Sequence, residues 1–405
     1  MKAHADILRS STLEALRELI TGATPIADVK VSTSEIPEAP RYLEGKVSGA
    51  VFNDEKDQDE MRVYSEVFKN FAWSNPLWPK LFPGVRKMEA EMSTGGTISI
   101  LLACLAHRNR ALKNGIHFPE MVIPSSAHAA FTKAAEVFRM RAVRVPVDPI
   151  TFKVDVQKMK AAINSRTCML VGSAPNFPFG TVDDITAIGE LGILYDIPVH
   201  VDACLGGFIL PFIDDTHPFD FGVPGYGLSP KGSSVVLYKN KQYLHNQYFC
   251  DADWQGGIYA SATLEGSRSG LNIALCWASL LFQGWNKYKC HSEAVVAATK
   301  KIRDGWTSDT IDIHRLHDLI GKKGWQLTNL QFPSGSQQDK ALVPVEGVVE
   351  SLLADLRDAV AEIKANPKAE LDEAAALYGM AEKIPDRTII QEFAYSYLDA
   401  CYSSP

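Results

Sequence analysis

A mostly parallel β-sheet covered by helices, followed by a smaller C-terminal domain, is the α/β architecture that this 405-residue sequence predicts. Three observations carry that expectation. The middle of the chain alternates short apolar runs with helical patterns, which is how strands buried on both faces read in sequence. The length fits one large α/β domain with additions that complete it, or two to three domains. With 46% apolar and 22% charged residues, the chain has the side chains for a substantial core.

Taken in order, residues up to about Ala50 combine a helix at Ile7 to Ile20 with a polar, proline-containing connector that reads as an arm. From Val47 the texture turns aromatic, with Phe52, Tyr64, Phe68, Phe71, Trp73, Trp78 and Phe82 marking a buried or interfacial stretch. Strands are expected at Met121 to Pro124, Ala142 to Val147, Thr167 to Ser173, Pro198 to Asp202 and Ser233 to Tyr238. Helices are expected at Ile98 to Asn114, Ala127 to Arg139, Val154 to Ile163 and Asp183 to Tyr195. Periodic helices at Glu293 to Trp306, Leu316 to Lys323 and Val345 to Lys364 form the C-terminal part. The resulting division is an arm and aromatic segment over 1–85, a large domain over 86–245, a connecting segment over 246–292 and a small domain over 293–405.

A net charge of −7 argues against a nucleic-acid binder, which needs a basic surface to neutralise phosphates. Seven cysteines lie scattered without a CxxC pair or a His/Cys cluster of metal-ligand spacing, so no metal site is expected and the thiols read as reduced and mostly buried. The N-terminus resembles neither a signal nor a transit peptide, and no uncharged stretch is long enough to span a bilayer, so a chain facing the cytosol without an anchor is expected.

Three segments carry chemistry. Ser93-Thr94-Gly95-Gly96-Thr97 leads straight into the apolar run Ile98 to Leu102, putting small residues and hydroxyls at a helix N-terminus. Free N–H groups and the helix dipole make such a turn a phosphate cradle; an ordinary helix cap is the competing reading. His128, in Ser125-Ser126-Ala127-His128, falls between a strand and a helix, where an imidazole can stack on a flat aromatic ring or simply cap the helix. Asp202 ends the apolar strand Pro198 to Asp202 ahead of Gly206-Gly207, a position from which a carboxylate can pair with a protonated ring nitrogen or cap a turn.

From Val47 to about Tyr288 the chain resembles the sphingosine-1-phosphate lyases, and among them the animal type. The matching motifs are Asn70-Phe71-Ala72-Trp73-Ser74-Asn75-Pro76-Leu77, Gly172 to Pro178, His200 to Phe208, Asp253 to Ser261 and Gly266-Ser267-Arg268. The resemblance implies a fold-type-I pyridoxal-phosphate-dependent transferase-like architecture and cleavage of phosphorylated sphingoid bases into a long-chain aldehyde and phosphoethanolamine. It also implies that Thr94, Gly95, Gly96 and Thr97 hold the phosphate of pyridoxal 5′-phosphate, that His128 stacks on its ring and that Asp202 partners its nitrogen. Tyr259, Ser267 and Arg268 match a segment that helps complete the neighbouring subunit's site in this dimeric family. Lys231 matches a second lysine that assists near the cofactor. The family is anchored in the endoplasmic reticulum by an N-terminal helix.

The chain departs from the pattern at one chemically central place. In the family, the strand leading to the second lysine carries Ser/Ala-Asp-Ser/Thr-His-Lys, whose lysine holds the cofactor covalently. Here Phe219-Asp220-Phe221-Gly222-Val223-Pro224-Gly225 runs directly into Tyr226 to Lys231, leaving Lys231, Lys239 and Lys241 as the nearby amines. Shorter junctions also occur before Met92, at Trp306 and at Gln337-Gln338, and Trp78 stands where many relatives have a substrate-phosphate histidine. The expectation is therefore a lyase family member, as a homodimer or paired with a full-length relative. The alternatives are a catalytically inactive partner and, ranked last, an amino-acid decarboxylase. Loss of a central strand is also expected to leave apolar faces and backbone groups uncovered.

Overall fold

The computed structural model describes residues 58–88, 92–213, 232–305, 311–325, 327, 329–330, 335–336, 347–366 and 384–402. All of these fall in one compact unit, Glu44–Pro405; a first unit, Met1–Leu43, lies outside them, as does the helix expected at Ile7 to Ile20.

The chain enters through α1 (Gln58–Phe71), α2 (Pro83–Met88) and β1 (Met92–Ser93). The central part follows as α3 (Gly96–Lys113), β2 (Glu120–Pro124), α4 (Ala129–Phe138), β3 (Arg141–Val145), α5 (Val156–Ala162), β4 (Thr167–Ser173), α6 (Ile185–Tyr195) and β5 (Val199–Asp202). Beyond a 3-10 turn at Leu210–Phe212 come β6 (Ser234–Val235), α7 (Lys241–Leu244), β7 (Phe249–Asp251), β8 (Tyr259–Ser261) and α8 (Gly270–Gly305). The C-terminal part contains α9 (Ile313–Lys322), β9 (Asn329–Leu330), β10 (Gly335–Ser336), α10 (Val348–Ala365) and α11 (Arg387–Tyr402).

Strands β2 to β5 form one parallel sheet in the order β3-β2-β4-β5. Their side chains alternate between two apolar layers, as a strand's two-residue period requires. Met121, Ile123, Met169 and Val171 face α3 and α4 through Ile100, Leu101, Cys104, Phe131 and Ala134. Val122, Val145 and Leu170 face α5 and α6 through Met159, Ile188 and Leu191. Sequence caps set the helix starts: Asp155 accepts from the N–H groups of Gln157 and Lys158, and Asp184 from that of Ala187.

Two expected elements come out differently. The apolar run Ser233 to Tyr238 forms only β6, which pairs antiparallel with β1 rather than joining the parallel sheet. Its Val236 packs on Leu102 and Ala103, so the run covers the back of α3. Among the described residues, β5 is thus an outermost strand of the sheet. The helix expected from Glu293 begins far earlier, as α8, because the apolar stretch after Gly270 is itself helical and crosses the expected boundary at 292. At Gly284 the backbone leaves the helical region (φ 57°, ψ 175°), a conformation that glycine adopts without strain.

The aromatic segment divides. Phe71 and Phe82 pack with Val85, Met92, Ile273 and Cys276, whereas Phe68, Trp73 and Trp78 are exposed. A separate apolar cluster in the C-terminal part joins Ile302 of α8 to Leu316, Ile320, Trp325, Leu352 and Leu356.

Candidate active site at the carboxyl edge of the sheet

Parallel strands place all their carboxyl ends on one edge, and ligands of open α/β sheets bind there. The short link from Lys113 to Glu120 sets the C-terminus of α3 beside the amino ends of the strands, with the helix running back along the sheet. Its N-terminus, with Thr94 to Thr97, therefore points toward the carboxyl edge. At the opposite edge, Glu120 is buried and receives Arg166 at 2.6 Å, Arg141 at 3.3 Å and Asn164 at 2.8 Å, an arrangement that ties strand starts together.

His128 follows β2 and is the N-cap of α4, with Nδ1 accepting from the N–H of Ala130 at 3.1 Å. The imidazole meets Phe177 edge-on, with ring centroids 5.8 Å apart. Asp202 ends β5 directly opposite Ser173 of β4 and is buried; its Oδ1 accepts from the N–H of Cys204 at 3.1 Å. In this structure His128 caps its helix and Asp202 caps the turn that follows its strand.

Beside them lie polar atoms that nothing satisfies. The hydroxyls of Ser126 and Ser173 are buried without hydrogen-bond partners. Orphaned polar atoms are costly in a protein interior, and two of them at the edge where a ligand is expected fit a bound polar group. Asp183 supports this edge from behind, accepting from the N–H groups of Ser173 and Val154 at 2.8 Å each. Burial raises its pKa, against the pull of those two N–H groups. Behind Asp202, His200 is buried against Phe131, and burial alone pushes its pKa down to about 4. Burial, then the charges of His200 and Arg110, pushes His107 down to about 3.

The cradle begins at Gly95, whose φ of 147° favours glycine and whose position as N-cap supplies no side-chain hydrogen bond to α3. Ser93 and Ser99 share a hydrogen bond of 2.7 Å, and Ser99 donates to Ser234 at 3.0 Å, so β1 and β6 are fastened beneath the turn. The loop after β8 reaches the same place. Arg268 donates Nη1 to the carbonyl of Met92 at 2.9 Å, and Thr94 donates Oγ1 to Glu265 at 2.5 Å. Ser267 accepts from Asn75 at 2.9 Å, and Tyr259 packs edge-on against Trp254. Within the single chain, then, Arg268 reaches the strand before the cradle, Ser267 precedes it in the same loop, and Tyr259 opens β8. Lys231 lies outside the described residues; Gly232, next to it, accepts from Asn272 at 3.2 Å. Lys239 and Lys241 are exposed.

Residues 77–311 match the family model of the pyridoxal-dependent decarboxylase conserved domain. Sphingosine-1-phosphate lyase 1 of Rattus norvegicus is 41% identical over a span of 416 positions, covering 90% of this chain and 73% of that protein. The chain belongs to the sphingosine-1-phosphate lyase family. Another member of the family, the Drosophila melanogaster sphingosine-1-phosphate lyase, is also 41% identical, with 90% of this chain and 76% of that protein covered. The solved sphingosine-1-phosphate lyase of Burkholderia pseudomallei superposes with a TM-score of 0.79 at 29% identity, over 98% of this chain and 95% of that one. The Lactobacillus brevis glutamate decarboxylase, at 17% identity and a TM-score of 0.68, shares the fold alone. The expected fold-type-I α/β architecture is the one these relatives share. The rat alignment spans 416 positions while using 90% of a 405-residue chain, so this lyase family member skips positions that the rat protein has.

Sequence reasoning did not single out Glu265, Asp183, or the orphaned hydroxyls of Ser126 and Ser173. Three of these four lie in or beside quoted motifs, but only packing reveals which hydroxyl is left unpaired and which carboxylate faces the cradle. Of the seven cysteines, Cys104, Cys168 and Cys276 are buried, Cys204 is half-buried, and Cys250, Cys290 and Cys401 are exposed, fewer buried than expected. Burial raises the thiol pKa of Cys104 and Cys168, which makes both inert. Among the described residues no group of three or more His, Cys, Asp or Glu side chains is arranged to hold a metal, and no helix is long and apolar enough to cross a membrane.

Proposed function

We propose that the chain serves the reaction of its family, cleavage of the C2–C3 bond of a phosphorylated sphingoid base into a long-chain aldehyde and phosphoethanolamine, with pyridoxal 5′-phosphate held without a covalent link. The observation that supports this reading is the common edge shared by His128, Asp202 and the N-terminus of α3, with the unpaired hydroxyls of Ser126 and Ser173 beside the first two. When bound, the cofactor supplies an electron sink for the pair released as the carbon–carbon bond breaks. Asp202 keeps the ring nitrogen protonated, His128 covers one ring face, and Thr94 to Thr97 hold the phosphate. Lys231 is the sole lysine between Lys160 and Lys239 and is assigned to moving the proton of the C3 hydroxyl. Arg268, Ser267 and Tyr259 complete the substrate side of the site in a dimer, formed with a second copy or a full-length relative.

A second reading has its own observation: residues 161–230 contain no lysine, so the amine that relatives use to hold the cofactor has no counterpart before Lys231. A chain of this kind serves as a non-catalytic, dimerising partner. One experiment separates the two. The purified chain, loaded with pyridoxal phosphate and given a phosphorylated sphingoid base, is assayed for long-chain aldehyde, and a parallel sample is reduced with borohydride and mapped by mass spectrometry. Aldehyde release at more than the rate of cofactor alone supports the lyase. Cofactor binding seen by absorbance without aldehyde rejects it in favour of the partner, and a stoichiometric adduct on Lys231 overturns the non-covalent holding.

A further inference from the structure

A half-buried carboxylate already touches the cradle at the start of α3. Glu265 places Oε1 at 2.5 Å from the hydroxyl of Thr94, and its Oε2 is buried with no hydrogen-bond partner. A desolvated carboxylate oxygen without a donor is costly unless a positive potential compensates it. The helix N-terminus next to this contact is that of α3, an 18-residue helix whose N-cap, Gly95, offers no side chain of its own.

The carboxylate is also aimed by construction. The Glu265 carbonyl accepts from Ser261 at 2.7 Å and from the Thr263 hydroxyl at 3.0 Å, so two hydroxyls fix the turn that carries it. The next residue is held just as closely, because a Cβ on Gly266 would stand 2.8 Å from the Tyr259 hydroxyl. Two residues farther on, the guanidinium of Arg268 reaches past the cradle to the Met92 carbonyl. A turn tied at this many points holds Glu265 against Thr94 as a fixed group.

We infer that Glu265 is a resident occupant of the anion cradle, and that any phosphate entering at Thr94 to Thr97 must first displace its carboxylate. The inference rests on the reading of that turn as the cofactor-phosphate site and adds a control on its occupancy. Two anions in one cradle repel strongly at low dielectric, so the chain as it stands binds phosphorylated ligands weakly, and the carboxylate rather than any missing donor is the reason.

The test compares the full chain with Glu265→Gln and Glu265→Ala by equilibrium dialysis against inorganic phosphate, pyridoxal phosphate and unphosphorylated pyridoxal. Circular dichroism checks folding, and the alanine variant stands in if the glutamine variant does not fold. Both variants are expected to bind inorganic phosphate and pyridoxal phosphate about tenfold tighter than the unaltered chain, with pyridoxal unchanged. Phosphate affinity that is unchanged or weaker in the variants, including no phosphate binding by any of the three, overturns the inference. Pyridoxal phosphate binding equally to all three chains removes the role of Glu265 and leaves the cofactor reading intact. Tighter inorganic phosphate without any pyridoxal phosphate binding upholds Glu265 and removes the cofactor reading.

Discussion

At the scale of single residues, the pH response of the fold is set by histidines that are buried without full compensation. His200 and His107 are neutral in the folded chain because burial depresses their pKa values to about 4 and about 3. In the unfolded chain each titrates near the ordinary value of 6.5. Between these limits the unfolded state binds more protons, so stability is full above the unfolded value and is lost as pH falls through the window. Urea unfolding is therefore expected to show a loss of about 2 kcal/mol per histidine between pH 7 and pH 5. His200→Leu should remove its share of that slope, and an unchanged slope would refute the assignment. The histidine and aspartate at the strand ends were legible in the sequence because the strand pattern fixes which residue reaches the carboxyl edge. Glu265 was not, since nothing in Gly266-Ser267-Arg268 or its neighbours states that the turn folds back onto Thr94.

At the scale of elements, the turn after β5 is where backbone geometry is most tightly constrained. A Cβ at Gly206 would collide with the carbonyl of Ala174, while Ala174 itself donates to the carbonyl of Asp202 at 2.8 Å. The obstacle is backbone, which has no rotamer to yield. Gly206→Ala is expected to displace the turn that positions Asp202 and to destabilise the chain by about 1–3 kcal/mol, measured by chemical denaturation. A variant as stable as the parent would show that the turn has room the structure does not show. The four sheet strands and their four covering helices were readable because apolar runs and caps such as Asp155 and Asp184 are local signals. The fate of Ser233 to Tyr238 was not readable. An apolar run of that length serves equally as a strand in the sheet or as cover for α3, and only its partners, Met92, Ser93, Leu102 and Ala103, decide.

At the scale of the whole molecule, two apolar cores are strung on α8. Its first half packs Ile273 and Cys276 against Val85 and Met92, immediately after the loop that carries Glu265 and Arg268 to the cradle. Its second half puts Ile302 into the C-terminal cluster with Leu352 and Leu356. Leu352→Ala, at a fully buried position, is expected to cost about 2–5 kcal/mol in unfolding of the C-terminal part. Its affinity for inorganic phosphate at the cradle should stay that of the parent, and a parallel fall in affinity would show that the two cores act as one. The break at Gly284 gives the reason for expecting independence. Just past the break, Trp285 and Tyr288 pack on Phe212 and Ser292 donates to the Phe208 carbonyl, so the second half of α8 is moored to the segment beyond β5 before it reaches the C-terminal cluster. A disturbance around Leu352 meets that mooring before it meets the half that holds the cradle, which is why the cradle is expected to keep its geometry in the variant.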